Sequence, residues 1–144
     1  INPYDDSDFT FKQFEETFNG ELANGLGNLI SRVAKLGESS GKSFKIIEPK
    51  IYDRVLESVE KYRFDRALFA IWANISVLDN EISIKQPWTK KGDELFEILK
   101  PFVSEIRRIG YNLKPFLPET SQKIEKQFNS EKIKSGKPLF PRLK

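Results

Sequence analysis

Asn28 and Arg32 stand four positions apart at the edge of an apolar run. If that run is helical, the two side chains project from the same side of it. With Leu29 at the centre of the wheel they lie roughly 100° and 60° away by the 3.6-residue period, on the border of the apolar stripe. An Arg guanidinium only donates, while an Asn amide both donates and accepts. That combination suits cytosine, whose O2 and N3 accept hydrogen bonds from Arg, and whose O2 and exocyclic amine each match one end of an Asn amide. Uracil replaces the N3 acceptor with a donor, so an Arg there separates two bases of the same shape. The same pair also fits an ordinary solvated or salt-bridged helix edge. A second group centres on Trp88, fixed behind Pro87 and surrounded by Lys85, Lys90 and Lys91. It reads as a rigid aromatic face for an unstacked base, or as a Trp that plugs the end of a bundle. Lys35, one turn from Arg32, joins Lys85, Lys90 and Lys91 as a candidate phosphate contact, against the alternative of plain solvated charge.

Other chemistries are narrowed by composition. The chain has no Cys and no His, so disulfides, the usual zinc sites and the Ser-His-Asp or Cys-His nucleophile arrangements are excluded. Carboxylate or Lys catalysis remains chemically possible, but no Asp/Glu pair separates itself from the charges expected on helix surfaces, and independent catalysis is not expected. The 24 Lys and Arg against 21 Asp and Glu give a net charge of +3, which fits a polyanionic partner and fits many ordinary proteins as well. No apolar run approaches the roughly 20 residues of a membrane span, and there is no signal-peptide pattern, so a cytoplasmic protein with no membrane partner is expected. The start at Ile1-Asn2-Pro3 and the absence of Met lead us to expect a piece of something longer.

Positioning these residues requires helices. The 144 residues are expected to form one domain. A polar lead-in over 1–9 gives way to Phe14, Phe18, Leu22, Leu26, Leu29, Val33 and Leu36, spaced by three and four, which predicts helix one from about 10 to 37. Gly20, Gly25 and Gly27 interrupt it, which implies close approach of another backbone or a ligand. A connector over 37–48 precedes a short helix carrying Tyr52, Val55, Leu56, Val59 and Tyr62. Asp65 is expected to cap the next helix, with Leu68, Ile71, Trp72, Ile75, Leu78 and Ile82 on its stripe and Trp72 in the core. The stretch from Lys85 to Gly92 should be non-helical, since Pro87 disfavours helix at Gln86 and Gly92 breaks the helical pattern after it. A fourth helical region from Leu95 to Leu113 contains Pro101, which should bend or split it. Pro118 can occupy the first turn of a last helix with Ile124 and Phe128 buried, and the tail over 129–144 is expected to pack back on the bundle. The fold class is all-α, an antiparallel bundle of about five helices.

Function enters through a longer pattern. The run Glu21-Leu22-Ala23-Asn24-Gly25-Leu26-Gly27-Asn28-Leu29-Ile30-Ser31-Arg32-Val33 closely resembles the first helix of the anticodon-binding domain of methionyl-tRNA synthetases, where L-A-N-x-L-G-N-L-x-x-R is characteristic. Ala67 to Trp72 as A-L-x-x-I-W, Asn80 followed by Pro87-Trp88, and Pro138-Leu139-Phe140-Pro141-Arg142 continue the resemblance in order. It covers nearly the whole chain. Glu81 departs from it, where the family usually has an aromatic residue after the Asn, and Pro101 is also unusual. The resemblance implies a bundle of the class I synthetase anticodon-binding type that recognises the CAU anticodon of methionine tRNA for aminoacylation. It assigns Asn28, Arg32, Pro87 and Trp88 to the anticodon, with the Pro-Trp supporting its first base; Lys35, Lys85, Lys90 and Lys91, by their position beside these residues, are candidates for anticodon-stem phosphates or plain solvated charge. It further implies that ATP and methionine bind a catalytic domain, with H-I-G-H-like and K-M-S-K-S-like signatures, that this chain lacks. No cofactor is then expected here, and the partners are methionine tRNA and that catalytic domain. Two alternatives stay open: a helical protein-interaction module, and the anticodon domain of another class I synthetase.

Overall fold

The computed structural model describes residues 22–136, with side chains from Gly25 onward. The lead-in, the start of helix one, Phe14, Phe18, Gly20 and the tail beyond 136 lie outside the described residues.

The first described residues of helix one are not regular α-helix. Leu22–Gly27 form a π-helical turn, and α1 continues over Asn28–Ser40. A π-turn takes one more residue per hydrogen-bonded ring than an α-turn, so the three- and four-residue spacing read through Leu22 and Leu26 does not describe the actual register there. From Leu29 onward the stripe holds: Leu29, Ile30, Val33 and Ala34 are buried. Among the described residues, a Cβ on Gly25 would meet nothing within 4 Å, so none of them makes the expected close approach at that position. α1 runs three residues past its expected end because the hydroxyls of Ser39 and Ser40 bond back to the carbonyls of Leu36 and Gly37. Gly41 then stops it at φ 66°, its N–H bonded to Glu38 O, a left-handed end that suits glycine.

α2 (Asp53–Glu60) and α3 (Phe64–Lys85) pack against each other. α3 starts one residue before the expected cap. Arg63 occupies the cap position without a side-chain cap bond, and Asp65 sits inside the first turn, where its charge faces the positive end of the helix dipole. Trp72 is half-buried against the core rather than enclosed by it.

Between α3 and α4 the chain is not wholly irregular. Pro87–Thr89 make a 3₁₀ turn with Pro87 at its start, where a missing N–H costs nothing. Gly92 does not break the next helix but opens it, at φ 60°: α4 spans Gly92–Leu113. Pro101 lies on its exposed side and does not split it. α5 covers Pro118–Phe128 with Pro118 in the first turn, and Ile124 and Phe128 are fully buried as expected. The molecule is an all-α helical bundle.

α4 is the central element, touching α1, α3 and α5. It approaches α5 tightly at Gly110, where an added Cβ would come 2.7 Å from Ile124 Cγ2, and there Ser121 Oγ donates to Gly110 O at 2.7 Å. One turn earlier, Arg107 is buried and donates to four main-chain carbonyls: Phe128 at 2.7 Å, Lys45 at 2.8 Å, Phe44 at 3.1 Å and Ser130 at 2.9 Å. Burial pulls its guanidinium below its usual range. The connector after α1 and the segment after α5 are thereby tied to one side chain, and Phe44 N–H bonds directly to Glu131 O. Ile133 of that last segment packs on Gly37 of α1.

Candidate nucleic-acid interface

The Trp88 loop is built from the backbone outward. Gln86 ends α3 at φ 47° and ψ 58°, a left-handed conformation uncommon outside glycine, although the proline after it disfavours only the right-handed helical region. Its N–H still caps the helix on Ile82 O, while its carbonyl accepts from Thr89 N–H at 3.0 Å and from Thr89 Oγ1 at 2.7 Å. Lys90 N–H closes the turn on Pro87 O. Pro87 is buried beneath the loop and Trp88 is turned outward, 48% exposed. About half of the indole surface is thus accessible.

On α1, Asn28 and Arg32 are both exposed, one turn apart. The Arg32 guanidinium lies over the Trp88 ring, 5.5 Å from its centroid, within the range of a cation–π contact. Two residues singled out on separate elements therefore meet. Arg32, Lys35, Leu36 and Trp88 line one cavity of about 340 Å³. Leu36, read from the sequence only as part of the core stripe, is half-buried and forms its apolar side. Asn28 does not line this cavity and lies one turn before Arg32.

The four lysines differ. Lys90 is paired with Glu94 at 3.5 Å. Lys35, Lys85 and Lys91 are exposed and form no ion pair with another described residue. Only Lys35 of the four borders the Arg32–Trp88 cavity. Elsewhere, Lys42 pairs with Asp93 at 3.3 Å. Among the described residues no group of three metal-ligating side chains gathers, and no helix is long and apolar enough to cross a membrane.

An exposed indole, a planar cation and an ammonium that forms no ion pair with another described residue thus border one cavity. The chain is 31% identical over 146 aligned positions to a methionine–tRNA ligase of Fusobacterium nucleatum, a match that covers 88% of this chain and 23% of that protein. It is similar there to a segment of a methionine–tRNA ligase. The ligase of Clostridium acetobutylicum is 29% identical over 171 positions, covering 94% of this chain and 27% of its own length. That of Pyrococcus horikoshii is 31% identical over 150 positions, covering 92% and 21%. The chain thus spans about a quarter of the length of the methionine–tRNA ligases it matches. No family model matches it.

Proposed function

We propose that this chain is the anticodon-binding part of a methionine–tRNA ligase and recognises the CAU anticodon of methionine tRNA. Trp88 stacks on the first anticodon base, Arg32 and Asn28 read its edge as cytosine, and Pro87 holds the loop. Aminoacylation itself, with ATP and methionine, belongs to a catalytic domain outside this chain, which acts in the cytoplasm as its partner. The observation that carries the reading is the 5.5 Å approach of Arg32 to the Trp88 ring, because it puts a donor-only side chain beside a stacking surface. Similarity to a segment of methionine–tRNA ligases supports the same reading. A gel-shift comparison of methionine tRNA with the same tRNA carrying a swapped anticodon tests it. Retarded migration of the first alone is expected, and equal migration of both sinks the proposal.

A second reading rests on a different surface. Ile51, Leu56, Tyr62, Phe64, Phe69 and Val77 are exposed along or beside α2 and α3, and an apolar cavity of about 350 Å³ opens between α2 and Tyr111 and Pro115. Such a surface suits a helical protein-interaction module, which predicts no anticodon preference.

A further inference from the structure

Of the four lysines around the interface, the geometry sets one apart. Arg32, Lys35 and Leu36 succeed one another at the three- and four-residue spacings that put side chains on one helix face, and all three border the cavity beside Trp88. The cavity is thus apolar at Leu36 and at the indole, and cationic at two points. The two cations are not equivalent. The planar guanidinium of Arg32 is already placed over the Trp88 ring, where its fork can address the edge of a flat heterocycle. Lys35 carries a compact charge with three rotatable donors, which suits a phosphate approached from many directions better than the fixed planar fork of Arg32 does. It is exposed and makes no ion pair with another described residue, whereas Lys90 is held by Glu94 at 3.5 Å and a phosphate would have to compete with that carboxylate. Lys85 and Lys91 form no ion pair with another described residue either, but neither borders the cavity.

Resting on the anticodon reading above, we infer that Lys35 is a phosphate subsite: it neutralises a backbone phosphate flanking the nucleotide whose base stacks on Trp88. The cavity then holds a whole nucleotide, with its base against Trp88 and Leu36, its edge at Arg32 and its phosphate at Lys35. Lys35 contributes affinity that is independent of base identity.

Binding of the full chain to an anticodon stem-loop RNA carrying CAU, measured by fluorescence anisotropy across a salt series, tests this. Loss of one phosphate contact to single-stranded RNA lowers the slope of log affinity against log salt by about 0.7. Lys35→Ala is expected to show that loss and Lys35→Arg to retain the wild-type slope, with circular dichroism unchanged in both. On the same RNA with neutral methylphosphonates at the phosphates flanking the first anticodon base, Lys35→Ala and wild type are expected to bind equally. A Lys35→Ala slope equal to wild type, or an equal penalty on the neutralised RNA, overturns the subsite. The wild-type preference for CAU over UAU is measured in the same series. If it is present while the slope does not move, Lys35 alone is misassigned. If it is absent, the anticodon reading falls and the subsite falls with it.

Discussion

An indole face stacks on any base, because every base has a π-face, whereas a guanidinium edge separates bases by their acceptors. Trp88→Ala should therefore cost about 1–3 kcal/mol of RNA affinity, and the loss should be similar for stem-loops with cytosine or uracil at the first anticodon position. Affinities of the variant for both RNAs check this, and a loss confined to cytosine would mean that Trp88 contributes to reading the edge. The types of these residues were legible in the sequence, since Trp after Pro among lysines and Asn and Arg four apart are chemical signals in themselves. Their meeting was not, because it depends on how α1 and the 3₁₀ turn approach each other in space. Leu36 was hidden for the same reason: periodicity assigns it a stripe and says nothing of a cavity at the edge of that stripe. Nor does composition announce that Gln86 takes a left-handed conformation, from which the turn that presents Trp88 begins.

Helix interiors announce themselves through the 3.6-residue period, so α2 to α5 were recoverable from the spacing of Val55, Leu68, Ile71, Leu99, Ile106 and Ile124, all of them buried. Ends and irregularities were less so. The π-turn over Leu22–Gly27 cannot be told from an α-helix by the Leu22 and Leu26 spacing, and α3 starts at Phe64, one residue before the cap that Asp65 suggested. Pro101 shows the converse: local chemistry predicted a split, and the buried residues on both sides of it, Leu99, Phe102 and Val103, hold α4 in one piece. The missing N–H remains a defect on the exposed side of the helix. Pro101→Ala restores a donor to the carbonyl of Glu97 and should raise stability by about 1–3 kcal/mol, read from the urea midpoint. A lower midpoint would show that the proline ring contributes packing that outweighs the lost bond.

At the scale of the molecule, segments far apart in the chain are held together by a polar residue. Arg107 joins α4 to the connector after α1 and to the segment after α5 through four main-chain carbonyls. Arg107→Met keeps much of the volume and leaves those acceptors without their donor, so it should destabilise by at least about 2–3 kcal/mol in urea unfolding. Arg107→Lys should recover only part of this, since an ammonium cannot spread its donors as a guanidinium does. An Arg107→Met variant as stable as wild type would mean that the burial of Phe44 and Ile133 and the remaining hydrogen bonds, such as Phe44 N–H to Glu131 O, hold the connector and the last segment without it. None of this framework touches RNA in the proposed function, so these variants should keep the anticodon preference wherever they stay folded. That preference is the central claim, and four affinities of the intact chain test it most directly: wild type and Arg32→Ala, each against anticodon stem-loops with CAU and UAU at one salt concentration. If Arg32 reads the first base, Arg32→Ala loses about 1–3 kcal/mol on CAU and little on UAU, and the preference collapses. Equal losses on both RNAs would make Arg32 a general electrostatic contact and contradict the account.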